Sequence, residues 1–262
     1  MDHSPVGIEQ LGQVTRITIR REVRRNALDR ISQEALSAAL DEFAADDSQW
    51  VAIITGAGDR AFCAGHDLKT AAPEGSEGLL PGGFGGLTAR FDLAKPVIAA
   101  VNGAAYGGGF EMVLACDIVI AAQRATFALP EVRVGMAALG GGILRLSRMV
   151  PHQQAMGMIL TGQPVTAERG REMGFVTEVV PDKDLQAAAL RWAEAIVAAS
   201  PMAVRASKRV ALDCASDPLP EASHHQWELP AVRPAQVRRL DRRPTGVRRA
   251  TSATVARALA GC

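Results

Sequence analysis

Two glutamates and a run of glycines are the residues of this chain best suited to chemistry. Gly107-Gly108-Gly109 lead into Phe110-Glu111, and Glu131 follows 20 residues later, directly after Pro130. Consecutive glycines weaken the interior of any helix or strand, because they lose the most backbone freedom on folding. They suit a place where a ligand must approach bare backbone. A helix that starts there has unpaired N–H groups and a partial positive charge at its first turn. Aimed at a carbonyl oxygen, such donors stabilise the negative charge that gathers on it during reaction. A pair of carboxyl groups supplies the complementary need. One takes a proton while the other gives one, which is what adding or removing water requires. A third stretch, Gly65-His66-Asp67, also ends an extended run with a glycine and offers a second backbone N–H. His66 could serve as a general base; the favoured reading is that only its backbone acts. Each feature also has a plainer account. The glycines make a tight turn, Glu131 pairs with Arg133 or Arg145, and Glu111 complements its helix dipole.

The elements that must position these groups are legible from hydrophobic spacing. The apolar run Val97–Val101 reads as a buried strand that stops at the turn pair Asn102-Gly103. A helix is expected from Phe110 to Ala115. Val14, Ile17 and Ile19 mark an earlier strand that ends in the basic loop 20–25. A helix from about Ile31 carries Ala35, Leu36, Leu40 and Phe43 on one face. Strands are expected at 51–55, 118–121, 127–129 and 176–180, and helices at 87–93, 143–149, 167–173 and 185–196. Ser200-Pro201 has the form of a helix start running to about Leu212. Residues 71–86, rich in Gly, Pro and Glu, read as a long loop of the kind that covers active sites. The rhythm of short strand, short strand, helix suggests a β-β-α coil, with mostly helix after about residue 182.

Composition excludes several classes of function. Apolar residues make up 48% of the 262, enough for a full core, but aromatics only 4%, so that core must be built from Ala, Val, Leu and Ile. No apolar run reaches the ~20 residues of a membrane span, and residues 1–5 do not resemble a secretory signal. Four scattered cysteines without a CxxC pair fit reduced thiols and a cytoplasmic location. There is no metal-ligand motif such as HExxH, and His224-His225 reads as surface. The net charge of +1 conceals an asymmetry: residues 234–262 carry seven arginines and one acid, and the remaining 233 residues carry 22 basic and 27 acidic side chains. Nucleic-acid binding would have to reside in that tail, which lacks interleaved aromatics, so no nucleic-acid partner is expected.

The motif-bearing stretches resemble one known family. Phe62-Cys63-Ala64-Gly65-His66-Asp67-Leu68-Lys69, then Pro96 to Gly103, then Gly107 to Glu111 with Cys116-Asp117, then Leu129-Pro130-Glu131 with Gly135, are similar in order and spacing to the crotonase superfamily of enoyl-CoA hydratases and isomerases. The match runs over about residues 5–230. Within that superfamily, residues 81–88 and 91–96 resemble the carnitinyl-CoA dehydratases. The resemblance implies an α/β fold, a crotonase-like ββα spiral with a helical C-terminal region, that assembles as a homotrimer or a hexamer of paired trimers. It implies an acyl-CoA thioester as substrate, its oxygen held between the backbone N–H groups of His66 and Gly108. It gives Glu111 and Glu131 as the acids that hold and add water, and Ala64, His66, Asp67, Leu68, Lys69 and Gly108 as the lining of the CoA path. Isomerases of the family lack one of the two acids, so hydration or dehydration is favoured. No cofactor or metal is implied, since coenzyme A arrives as part of the substrate. Two other readings stay open: double-bond isomerisation on the same fold, and a non-catalytic acyl-CoA-binding protein.

The chain departs from the family in two places. Many hydratases carry Pro-Gly-x-Gly-Gly after the second acid, where this chain has Ala138-Leu139-Gly140-Gly141-Gly142. From Pro234 onward, Arg, Ala, Pro and Thr replace the aromatic-bearing helix with which relatives end. The domain organisation that follows is a spiral core over 5–199, a helical trimerisation region over 200–233 and an atypical Arg-rich tail over 234–262, a candidate disordered segment.

Overall fold

The computed structural model describes residues 4–67 and 80–232. The chain divides into two compact units, Met1–Lys208 and Arg209–Cys262, and every candidate site residue belongs to the first. The strands are β1 (Val6–Leu11), β2 (Val14–Ile19), β3 (Val51–Gly56), β4 (Ala61–Cys63), β5 (Val97–Val101), β6 (Ala104–Tyr106), β7 (Ile118–Ala122), β8 (Thr126–Ala128), β9 (Val165–Thr166) and β10 (Glu178–Val180). The helices are α1 (Arg30–Ala45), α2 (Gly108–Ala115), α3 (Gly142–Met149), α4 (His152–Thr161), α5 (Ala167–Met173), α6 (Leu185–Val197), α7 (Pro201–Asp213) and α8 (Leu219–His225).

The strands form two sheets, one in the order β1-β2-β3-β5-β7-β10 and one in the order β4-β6-β8-β9. Successive turns of the chain place β3, β5 and β7 side by side in the first sheet, and β4, β6 and β8 side by side in the second, all parallel. This is the β-β-α spiral expected from the sequence. Strands β3 and β5 are buried along their whole length, as strands of a parallel sheet covered on both faces must be. Alternate residues serve opposite faces. Ala52, Ile54, Val97, Ala99 and Val101 join the core with α1 and α2. Val51, Ile53, Ile98 and Ala100 join Leu185, Ala188, Ala189 and Ala193 of α6. Aspartate at the start of α1 explains where that helix begins: Asp29 Oδ1 accepts the Ser32 N–H at 2.9 Å.

Five elements were not foreseen: β1, β6, β9, α4 and α8. One expectation fails. No helix covers 87–93, where the chain turns instead, after a 3₁₀ turn at Phe84–Gly86. Thr88 Oγ1 accepts the Phe84 N–H at 2.9 Å, a local side-chain bond that competes with helix formation. Gly83, Gly85 and Gly86 all take positive φ, which carries the backbone out of the helical region. The expected loop at 71–86 is described only from residue 80, and the Arg-rich tail over 234–262 lies outside the described residues. No single helix among the described residues is long and apolar enough to cross a membrane.

Candidate active site

The spiral brings four stretches, 61–67, 107–111, 129–131 and 140–142, to one place. Helix α2 opens directly off β6 through Gly107, whose φ of 55° and ψ of −130° suit only glycine. Its N–H donates to Ala128 O at 3.0 Å. That bond ties the start of α2 to the end of β8, from which Leu129-Pro130-Glu131 continues. A Cβ at Gly107 would sit 2.9 Å from Glu131 Oε1, so the second carboxylate lies against the start of the helix that carries the first. At Gly109 a Cβ would sit 2.1 Å from Cys63 O, so the helix packs on β4 at a distance only glycine allows.

The two candidate N–H donors are neighbours. A Cβ at Gly65 would lie 3.3 Å from the Gly108 nitrogen. Among the described residues, neither His66 N–H nor Gly108 N–H has a hydrogen-bond acceptor. The His66 side chain is exposed, which fits a role for its backbone alone. Cys63 beside them is buried, and that burial pushes its thiol up to about 12. It is therefore a neutral core group at working pH and not a nucleophile.

Both glutamates sit where burial makes the carboxyl hold its proton more tightly than a free side chain does. Glu111 is 4% exposed, and its Oε1 accepts the Gly142 N–H at 2.9 Å. Burial raises its pKa, opposed by the N–H groups of Gly142 and Gly140 and by the charge of Arg145. Glu131 is half-buried, and its Oε2 is enclosed without a hydrogen-bond partner among the described residues. Burial raises its pKa first, and the negative charge of Glu111 raises it further. Two neighbouring carboxyl groups that resist ionising together are suited to hold one proton between two roles. The plainer account of Glu131, an ion pair with Arg133 or Arg145, does not describe this geometry. Arg133 donates to Thr161 O and Arg145 to Thr88 O, and neither forms an ion pair with Glu131.

The raised Glu131 pKa has a consequence for stability. The native carboxyl protonates at higher pH than it does in the unfolded chain, so the native state loses stability as pH rises from the ordinary carboxylate range through the raised value. Glu131→Gln does not titrate. Its thermal midpoint relative to the native protein is therefore expected to be highest at the alkaline end of that window and to fall as pH drops through it. Thermal melts at pH 5, 6.5 and 8 measure this; a difference that stays constant with pH contradicts the buried, unpartnered carboxylate.

The remaining predicted residues are distributed unevenly. Ala64 is half-buried and donates its N–H to Arg25 O at 3.1 Å. Asp67 is 5% exposed, and its Oδ2 lies 3.2 Å from Arg21 Nη2. Leu68 and Lys69 fall outside the described residues. Sequence reasoning missed the residues that hold Glu111: Gly140 and Gly142, where a Cβ would sit 2.4 and 2.9 Å from its side chain, and Arg145. The glycine-rich turn was visible, but nothing local linked it to Glu111. Gly140 also borders a cavity of about 440 Å³ walled by Phe91, Leu139, Leu144 and Arg145. In the second unit, Cys214, Asp217 and His225 place their polar atoms within 4.8 Å of one another. A 2.7 Å ion pair between His225 Nδ1 and Asp217 Oδ2 accounts for their meeting.

Comparison with known proteins identifies the family. The family profile described as enoyl-CoA hydratase/isomerase matches residues 9–235. The chain is 45% identical over 203 residues to a carnitinyl-CoA dehydratase of Salmonella arizonae, covering 76% of this chain and 77% of that protein. Among solved structures, an enoyl-CoA hydratase from Mycobacterium tuberculosis H37Rv superposes with a TM-score of 0.82 at 38% identity, covering 86% of this chain and 88% of that one. A carnitinyl-CoA dehydratase from Mycobacterium avium 104 superposes at 0.74 with 36% identity, covering 86% and 91%.

Proposed function

The chain belongs to the enoyl-CoA hydratase/isomerase family, and from that premise we propose that it adds water to, or removes it from, the α,β double bond of an acyl-CoA thioester. The observation that carries this reading is the convergence of Glu111 and Glu131 on the start of α2, beside two N–H groups without acceptors. The thioester oxygen sits between the N–H groups of His66 and Gly108. As water adds to the β-carbon, electron density moves onto that oxygen and is stabilised there; each such donor is worth about 3 kcal/mol of barrier in comparable sites. One carboxylate takes a proton from the water and the other acid delivers one to the α-carbon. Glu111, with its N–H partners and Arg145, is the better base, and Glu131, whose Oε2 lacks a partner, is the better proton donor. Dehydration reverses the steps. The route is redox-neutral and draws on no metal or redox cofactor.

On the same reading the CoA path follows Ala64 and residues 66–69, and the protein assembles as a homotrimer or hexamer. The exposed side chains of Val134, Leu139 and Leu144 supply apolar area for such contacts. The test is crotonyl-CoA in ¹⁸O-labelled water. Loss of the conjugated thioester absorbance with ¹⁸O at the β-carbon is the expected result. Double-bond migration without label identifies an isomerase, and CoA-ester binding with neither reaction identifies a binding protein. Sedimentation of the same sample should give three or six times the chain mass.

A further inference from the structure

The basic loop 20–25 holds an arginine that the reaction scheme does not use. Arg21 has a side chain only 15% exposed, and its guanidinium donates to two acceptors and lies against a second carboxylate. It donates to Ala27 O and to Asp29 Oδ2 at 2.5 Å, and it lies 3.2 Å from Asp67 Oδ2. The loop is fixed around it. The Arg21 N–H donates to Asn26 Oδ1 at 2.9 Å, and the Asn26 amide reaches Ala57 O and Ala61 O at 3.0 and 2.7 Å. Arg25 and Asn26 both take left-handed φ, 53° and 55°, so the loop keeps a conformation that its neighbours must enforce.

Between Ala27 and Asp29 stands Leu28, and Leu28 grips the stretch around His66. Its N–H donates to Gly65 O at 2.9 Å, and its carbonyl accepts the Asp67 N–H at 3.0 Å. In this extended pairing successive backbone groups point to opposite sides. With Gly65 O and Asp67 N–H turned toward Leu28, the His66 N–H is turned away, on the side where Gly65 meets the Gly108 nitrogen. Arg21 therefore locks both ends of this bridge, the Ala27–Asp29 segment on one strand and Asp67 on the other. Apolar packing would stabilise such a site as well or better than a buried ion pair, but it would not fix direction as a planar five-donor fork does.

We infer that Arg21 is a positioning residue for the reaction, setting the direction of the His66 N–H through Leu28 and Asp67. This rests on the thioester oxygen lying between His66 and Gly108 as proposed above. Arg21→Lys tests it, because an ammonium keeps the charge but cannot hold Ala27 O, Asp29 and Asp67 together as the planar fork does. The native enzyme and the variant are compared by kcat, by KM and by the absorbance of bound 4-dimethylaminocinnamoyl-CoA, whose donor–acceptor chromophore shifts to the red as its thioester carbonyl is polarised. The expected result is a KM within about threefold of native, a kcat lower by roughly 10- to 100-fold, and a smaller red shift. A red shift of native size in Arg21→Lys overturns the inference, whatever happens to stability. Should that variant fail to fold, Arg21→Gln, which removes the guanidinium fork and its charge, carries the same expectation and the same overturning result. Absence of both turnover and red shift in the native enzyme would instead sink the hydratase reading itself.

Discussion

Glu131→Gln is expected to lower turnover of crotonyl-CoA by about 10²–10⁴-fold, the usual contribution of a positioned acid or base, which is about 2.7–5.5 kcal/mol of barrier. Glutamine keeps the size of the side chain and much of its polarity, so KM and the affinity for a saturated CoA thioester should change little. What it cannot do is hold and release a proton. Glu111→Gln should show a loss in the same range for the partner reason. Its amide retains an oxygen for the Gly142 N–H, now 2.9 Å from Glu111 Oε1, but not the negative charge that draws a proton from water. The double variant should fall little below the worse single one, because the two acids act as a unit. His66→Ala provides the contrast. If only the backbone N–H at this position acts, that variant should retain most of the native rate. Stopped assays of all four variants on one substrate decide the matter. A Glu131→Gln enzyme within about threefold of native would remove Glu131 from the mechanism.

Phe127→Ala should destabilise the protein by about 3–5 kcal/mol, the usual result of truncating a buried phenylalanine. Phe127 is fully buried. Its ring lies 5.4 Å from Phe110 and 5.2 Å from Phe175, the latter edge-on at 82°. With so few aromatics in the chain, this trio fills volume that the small aliphatic residues around it cannot. The loss combines removed contact with a cavity that the parallel strands cannot collapse into. For a domain of this size it corresponds to roughly 6–20 °C in thermal midpoint. The trio also lies directly beneath the site: Phe110 precedes Glu111, and Phe127 is on the strand that leads to Glu131. A reduced kcat in the folded fraction at low temperature should accompany the lower midpoint. A midpoint within about 2 °C of native would show that the trio does not carry the packing assigned to it.

Much of this protein was legible in its residues. Continuous apolar runs such as Val97–Val101 identify buried parallel strands because both faces are covered and take mostly apolar side chains. The glycines before Glu111 mark a helix start against a strand, because no side chain fits where Gly109 meets Cys63. The meeting of Glu111 and Glu131 was foreseen. Local reasoning failed where local signals conflict. Residues 87–93 have helical spacing, but the glycines just before them and Thr88 within them set the backbone first. β1 went unseen because its outer half is exposed and carries Glu9 and Gln10 in place of an apolar run.

The tertiary structure alone decided what surrounds the acids. Gly142 lies 31 residues from Glu111 and Arg21 lies 46 from Asp67 in sequence, yet the first contact opposes the burial that raises the pKa of one acid and the second sets the direction of one N–H. Such contacts leave no periodicity to read, because they depend on which turns of the spiral stack on one another. The order of chemical groups is a property of the chain, fixed by side-chain size and backbone preference over a few residues. Their electrostatics are a property of the fold, since desolvation and Coulomb interaction depend on distances through space that only the packed sheets establish.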